Sequence, residues 1–561
     1  MTKKQQILLS ALSVVVMLLL ILLTRRVWFR LDLTANKAYT LSAASKKLRG
    51  EIGETVRLTY YLSDKLRSID PAPAEIADFL REYEAGSGGA VQVAVKDPAS
   101  STGAAERYGL QPQQLQNVEA DEASFSMVYS GIVIEYLNKA EILPWVFSFD
   151  TLEYNVTSRI RSLLSGKKRE LGVLAPEAQR NWSEYYGFFN QVLSQSGFSV
   201  LPLSAADEIP DTLPALLVLG GAEELSGAAL YRIDRYLQLG GRILFMEETV
   251  QVDLYGSWEA RPKEDRGLLG MISWYGATLE SGLVLDRAAL PMPYQDPATG
   301  EMRLIRYAPW VGVLGENAGD HILTGAFGGA DLFWASPITI TAEAEKVKAE
   351  ILFTSTDQAW LMTRDFVVRP EMSPLFNAEE EETRGKRILA VALEGRFPSW
   401  FAGQEKPAPE GGEWEGDEWR ETATALPDMP DEAKEARIIV IGDADMGGAL
   451  VQYTQTQSPL NFNFLLQAVD WLGNDDDIVG IRNRQTGTGR LDKIQDELAR
   501  ARAMNFSRVL NVFIVPLAIL VFGVFRMMNR TKRIRGGRGG KNTPPKARDA
   551  SAKEETGHAV S

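Results

Sequence analysis

Leu216–Met246 reads LLVLGGAEELSGAALYRIDRYLQLGGRILFM, and this stretch decides the fold. It opens with an apolar run at Leu216–Leu219, too short for a helix and bounded by Gly220-Gly221, which marks a buried strand. Ala228–Leu239 follows with Leu230, Ile233 and Leu237 at helical spacing, and Gly240-Gly241 stops it. Ile243–Met246 is then a second apolar strand. Strand, helix and strand of this kind make a unit with parallel strands.

The same alternation extends on both sides. Leu171–Leu174 predicts a buried strand, followed by a helix around Tyr185–Ser194. Far downstream, Arg437–Ile441 (RIIVI) predicts a strand that turns at Gly442-Asp443-Ala444-Asp445, with a helix over Asn461–Trp471 after it. The expected fold class is therefore α/β, an open parallel sheet of flavodoxin type with helices on both faces, over residues 166–484. Between about 277 and 430 the alternation fails, and an inserted β-rich region is expected there. Asn377–Arg387, with four consecutive glutamates, and Ala402–Ala436, acidic and rich in Gly and Pro, are expected to be solvated.

Residues 27–165 predict a separate smaller domain. Val56–Leu62 and Val91–Val95 are strands. Ile76, Phe79, Leu80 and Tyr83 lie on one helical face between them, giving a βαβ unit. Phe125–Tyr129 and Ile132–Tyr136, joined by Ser130-Gly131, predict a hairpin. Asp150-Thr-Leu-Glu153 predicts a capping box opening a helix with Leu152, Val156, Ile160 and Leu163 inward. This pattern is thioredoxin-like, without the Cys-x-x-Cys that redox chemistry requires.

Both ends are apolar. Ile7–Leu23 and Val509–Phe525 are each about long enough to cross a bilayer core of roughly 30 Å. The expected layout is a stub and anchor over 1–26, an amphipathic linker helix over 485–505, a second span over 506–528, and a basic, disordered tail over 529–561. Seven Lys and Arg within 526–541, with no acid among them, place that flank in the cytoplasm. Two spans then put both termini inside, in a bacterial inner membrane, and the main body outside. No small-x-small cleavage site precedes Arg25, so the first run is expected to stay as an anchor.

Charge and composition exclude several functions. The net charge is −14, while residues 1–26 carry +4 and 526–561 carry +7, so the middle carries about −25. Such a body repels phosphate and is not expected to bind nucleic acid. There are no cysteines, so disulfides, thiolate catalysis and cysteine metal sites are absent. The two histidines, His321 and His558, form no metal-ligand pattern, and no metal or cofactor is expected. Gly536–Lys541 imitates the end of a phosphate loop. It has Arg535 where the first glycine belongs, and Asn542 where Ser or Thr belongs. The chain is not expected to hydrolyse ATP, nor to be an enzyme.

Candidate ligand contacts are the loops after the parallel strands, where open α/β sheets bind. They present Asn181, Trp182 and Glu184; Gly220 and Gly221; Glu247 and Glu248; and Asp443 and Asp445. Trp182, Glu184, Glu247, Asp443 and Asp445 are the candidate ligand-binding set, for a polar ligand or a cation. The competing explanation is turn chemistry, because Asp and Gly serve such turns for backbone reasons. Arg482 and Arg484 are expected to form structural ion pairs.

Several segments, in order, resemble a known family. They are Arg30-x-Asp32-Leu33-Thr34 with Tyr39-x-Leu41-Ser42; Asp97-Pro98 and Tyr108-Gly109-Leu110; Tyr129-x-Gly131; Leu152-Glu153-Tyr154; Gly240-Gly241; Leu393-Glu394-Gly395-x-Phe397; Gly442-Asp443-Ala444-Asp445; and Gln467-Ala468-Val469-Asp470-Trp471-Leu472, then Ile481-Arg482-x-Arg484. The set resembles the GldG family, auxiliary components of gliding-motility-associated ABC transport systems. The resemblance implies a non-catalytic membrane subunit with a separate ABC permease and a separate ABC ATPase as partners. It also implies an outer α/β portion similar to glutamine amidotransferases. Those enzymes use a cysteine nucleophile that this chain lacks, so no catalytic residue carries over. The alternative is a free-standing, membrane-anchored envelope sensor or glycan-binding module.

Overall fold

The computed structural model describes residues 40–481, apart from short stretches at 101–102, 120–121, 148–150, 167–168, 254–257, 296–298, 326, 344–345, 410–411, 416–417, 422–424, 455–458 and 474–478. Both apolar runs, the linker helix, the basic tail, His558, Arg482 and Arg484 lie outside the described residues. Among those described, no helix is long and apolar enough to cross a membrane.

The N-terminal part begins with α1 (Ala43–Leu48), β1 (Val56–Leu62), α2 (Ala72–Ser87) and β2 (Val91–Lys96), and β1 pairs with β2 in parallel. The apolar face read from α2 is buried, with Ile76, Phe79, Leu80 and Tyr83 all covered. β3 (Ser130–Tyr136) and β4 (Lys139–Leu143) complete a sheet of order β2-β1-β3-β4, in which β3 runs antiparallel to both neighbours. The hairpin expected at Ser130-Gly131 does not form. Phe125 belongs to a strand, Glu122–Val128, that pairs instead with Gln113–Glu119. Gly131 lies within β3 because the chain packs tightly there: a Cβ would meet Leu110 at 2.7 Å and the carbonyls of Pro144 and Leu143 at 3.0 and 3.1 Å. The expected capping box at α3 (Leu152–Ser165) opens on Asp150, which lies outside the described residues. Buried Glu153 accepts from the Ser42 N–H at 2.7 Å and the Ser45 hydroxyl at 2.6 Å, fixing α1 on α3.

The larger part follows with β5 (Arg169–Leu174), α4 (Gly187–Gln195), β6 (Phe198–Leu203), β7 (Ala215–Leu219), α5 (Gly227–Gln238), β8 (Arg242–Met246), α6 (Leu268–Tyr275) and β9 (Ala277–Leu279). Next come β10 (Ala289–Gln295), β11 (Met302–Leu314), β12 (Gly329–Phe333), β13 (Ile338–Ile340), β14 (Val347–Thr354), β15 (Ile388–Gly395), β16 (Ala436–Ile441) and α7 (Pro459–Leu472). The central sheet runs β9-β13-β15-β16-β8-β7-β5-β6, with β14 also on β15. Its five strands β5, β6, β7, β8 and β16 are mutually parallel and lie in the order 2-1-3-4-5 of a doubly wound sheet. β15 joins antiparallel, so strands from the irregular region extend the main sheet, while β10, β11 and β12 form a three-stranded sheet of their own.

Both faces of the parallel sheet are covered, because successive strand residues point to opposite sides. Leu217, Leu219, Leu244, Met246, Ile439 and Ile441 pack on one side with α4 and α7. Leu216, Val218, Ile243, Phe245, Ile438 and Val440 pack on the other with α5 and α6. Complete burial of each such side chain stabilises by about 1.5–3 kcal/mol. Ser226 caps α5, accepting from the Ala229 N–H at 3.2 Å, and Gly240 ends it in the left-handed region at φ +89°.

The four glutamates expected to be solvated divide. Glu379 and Glu380 are buried, and Glu379 accepts from the Thr363 hydroxyl at 2.5 Å and from its backbone N–H.

Candidate functional site

Strand directions bring the loops after β5, β8 and β16 together at the carboxyl edge of the parallel sheet. The loop after β5 delivers Glu177, Arg180 and Tyr185. The end of β8 delivers Glu247 and Glu248, and the turn after β16 delivers Asp443 and Asp445. Lys263 enters beyond the hairpin Val250–Val252/Ala260–Pro262. All of these side chains are buried.

The charges meet pairwise. Lys263 Nζ lies 2.9 Å from Glu177, 2.5 Å from Glu247 and 2.7 Å from Glu248. Arg180 donates to Glu177 at 3.0 Å and Glu248 at 2.7 Å, and its Nε and Nη2 reach the two oxygens of Asp445 at 2.8 and 2.9 Å. The Tyr185 hydroxyl donates to Asp445 Oδ1 at 2.6 Å. Backbone amides complete the shell: Ala222 to Glu247 at 3.0 Å, Ala444 to Glu248 at 2.9 Å, and Phe333 and Asp445 to the two oxygens of Asp443, each at 2.7 Å.

Four carboxyls thus face two cations, a fifth, Asp443, is held by amides, and their proton affinities separate. Burial pushes Glu247 up to about 8, with Lys263 opposing and Glu248 adding to the rise. Burial would also raise Glu248, but Arg180 and Lys263 outweigh it and hold that group at about 2. Asp445 is raised by burial, against the pull of Arg180, to about 6. Asp443 is raised by burial and by the neighbouring Asp445 charge. Burial would lower Lys263, but the three glutamates more than reverse it, so it stays protonated.

Among the described residues, Glu177, Glu247 and Glu248 are the group whose oxygens are spaced to hold a metal ion, within 4.8 Å of one another. Lys263 already donates to all three. Its ammonium takes the place a cation would take, and these donors do not fit a further resident metal while it is there.

The candidate set is partly united. Glu247, Asp443 and Asp445 enter one network. Trp182 is half-buried, stacked on Tyr186 at 6.1 Å and edge-on to Phe189 at 6.0 Å. It lines a crevice of about 600 Å³ with the ends of β5 and β6, Asp207 and Glu224. Glu184 stays exposed on a turn whose amide is capped by Asn181 at 2.8 Å. Glu177, Arg180 and Lys263 were not foreseen, because isolated charges in loops carry no periodic signal. His321 is structural: its Nδ1 accepts from the Leu323 N–H at 3.1 Å, and its ring packs edge-on to Trp471 at 5.2 Å. Burial lowers its proton affinity.

These features define a doubly wound α/β protein whose carboxyl sheet edge is closed by its own ion pairs. The chain belongs to the family described as ABC-type uncharacterized transport system, which matches residues 168–474, and its role is auxiliary to ABC transport. Residues 35–135 match a second family, described as a domain of unknown function. The chain is similar to a protein of Borreliella burgdorferi, described as an uncharacterized protein, at 24% identity over 520 residues, covering 90% of this chain and 94% of that one. Among solved structures it is similar to the mmIFT52 N-terminal domain at TM-score 0.30 and 11% identity, covering 54% of this chain and 97% of that one. It is also similar to an exo-beta-1,4-mannosidase of an Opitutaceae bacterium at TM-score 0.19 and 12% identity, covering 56% and 48%. Scores this low carry no inference.

Proposed function

We propose that the protein is a non-catalytic, membrane-anchored subunit of an ABC transport system, of the GldG kind, working beside a separate permease and a separate ATPase. In this reading Ile7–Leu23 and Val509–Phe525 span the inner membrane and both termini are cytoplasmic. Between them a thioredoxin-like domain (27–165) and an amidotransferase-like domain (166–484) stand outside, handling substrate or coupling to an envelope partner. The observation that carries it is Lys263, which donates to Glu177, Glu247 and Glu248 from within. A sheet edge filled by its own ammonium suits a rigid coupling body better than a reaction centre.

The test is purification of the tagged full-length chain from native membranes in mild detergent. A permease and an ATPase in fixed ratio support the proposal. A chain that isolates alone across several detergents refutes it.

A second reading, an anchored sensor or glycan-binding module, is favoured by the crevice at Trp182. It lies beyond the carboxyl ends of β5 and β6, with Asp207 and Glu224 as acceptors for sugar hydroxyls. Of the candidate ligand residues, Trp182 is the one this reading uses. Binding of envelope oligosaccharide that is lost in Trp182→Ala would support it.

A further inference from the structure

A second cavity, of about 430 Å³, lies beside the ion network, walled by Trp258, Trp310, Trp334, Tyr185, Met292 and Leu450. Tyr185 belongs to both sites, since its hydroxyl donates to Asp445. Exposed Met302 and Tyr453 stand at the rim. The volume falls within the range of small-molecule sites.

Three independent features mark it as built for a ligand. First, among the described residues four non-glycine residues adopt positive φ, and two of them are Trp258 and Trp334, each at +56°. Bulky side chains rarely adopt this backbone, and such strain gathers at ligand clamps. Trp334 is held there by its indole N–H on the Tyr307 hydroxyl at 3.0 Å and its backbone N–H on the Pro309 carbonyl at 3.0 Å. Second, Trp310 lines the cavity and is buried, and its indole N–H meets no acceptor among the described residues. Third, none of the lining side chains among the described residues is charged.

The lining selects the ligand. An ion would lose its hydration without a counter-charge, and a sugar would bury more hydroxyls than the few polar groups here can meet. Methionines and aromatic edges suit a flexible apolar chain. We propose that this cavity binds an uncharged acyl compound, its chain among Met292, Leu450 and the tryptophans and an ester or hydroxyl oxygen toward Trp310.

The experiment is photolabelling of the full-length protein in native membrane vesicles with a diazirine-bearing monoacylglycerol, followed by mass-spectrometric mapping. The expected result is labelling within 289–314 and 449–453, competed by unlabelled monoacylglycerol. Leu450→Trp fills the cavity and abolishes labelling there. Trp310→Phe keeps an aromatic ring but removes the donor with the five-membered half of the indole, and weakens competition about five-fold. Should Leu450→Trp fail to fold, Ala449→Phe obstructs the same space from its half-buried position. The proposal is overturned by labelling of these peptides that survives the folded obstructing variant. It is equally overturned if they stay unlabelled in the wild type while cross-links from a neighbouring protein reach them. Binding is read directly, so failure here leaves the transport proposal standing.

Discussion

Replacing Lys263 by Met keeps the length of the side chain and removes its charge, which is 1% exposed and lies within 2.9 Å of three carboxylates. Arg180 remains, but it already serves Asp445, so Glu177 and Glu248 must share it, while Glu247, raised to about 8, largely holds its proton at pH 7.5. Leaving a buried charge uncompensated costs about 3–5 kcal/mol. Urea unfolding of the full-length protein in detergent, followed by tryptophan fluorescence at pH 7.5, should show a loss of that order. The loss should shrink at pH 5.5, because the freed carboxylates relieve their repulsion by binding protons. Adding Glu177→Gln to Lys263→Met should restore part of the stability at pH 7.5. A loss below about 1 kcal/mol, the level of an exposed surface pair, or a loss that deepens on acidification, would refute the neutralising role given to Lys263.

The remaining predictions concern the same framework. Glu247, raised to about 8, keeps its proton in the fold and loses it in the unfolded chain near pH 4.5, so the folded state binds more protons between those values. Wild-type stability should therefore fall between pH 6 and 8, at a limiting slope of about 1.4 kcal/mol per pH unit for this group, and Glu247→Gln should flatten that fall in pH-resolved melting curves. Glu248, held at about 2, contributes stability that is lost only as pH falls from about 4.5 toward 2, so Glu248→Gln should narrow the gap between neutral and acid stability. Asp443→Asn leaves one acceptor for two buried amides, and should cost about 1–3 kcal/mol and speed hydrogen exchange at the Phe333 amide. Gly131→Ala pushes a methyl against two backbone carbonyls and Leu110, and should cost about 1–3 kcal/mol in thermal or urea unfolding.

The elements readable from sequence are those whose burial leaves a run or a period. Leu216–Leu219 and Ile438–Ile441 are continuous apolar strands because both faces of the sheet are covered, and α2 and α5 show the spacing of one buried face. The Ser130-Gly131 pair misleads because a glycine required by close packing reads like one required by a turn. The extension of the sheet by β13, β14 and β15 was equally hidden, since pairing between distant strands leaves no local mark. At the site, Glu247, Asp443 and Asp445 were legible as acids directly following strands. Their partners Glu177, Arg180 and Lys263 were not. Nor was the aromatic cavity, whose tryptophans come from three separate segments of the chain.

The ion network joins chain segments that no single element holds together: 177–185, 247–248, 263 and 443–445. Exchanging buried ion pairs of this sort for apolar residues often leaves stability unchanged or raises it, so net stabilisation is a weak account of why so many charges gather here. Register is a stronger one. The partners of Arg180 follow three different strands, β5, β8 and β16, so a shift of any of them would leave a buried charge unmatched. Asp443 extends the constraint outward, because its second oxygen holds the end of β12, immediately before Trp334. Tyr185 reaches the same cavity from the other side through Asp445. The strained tryptophan and the tyrosine wall are thus both tied to the two aspartates of one turn, and a ligand displacing either wall would act on that turn.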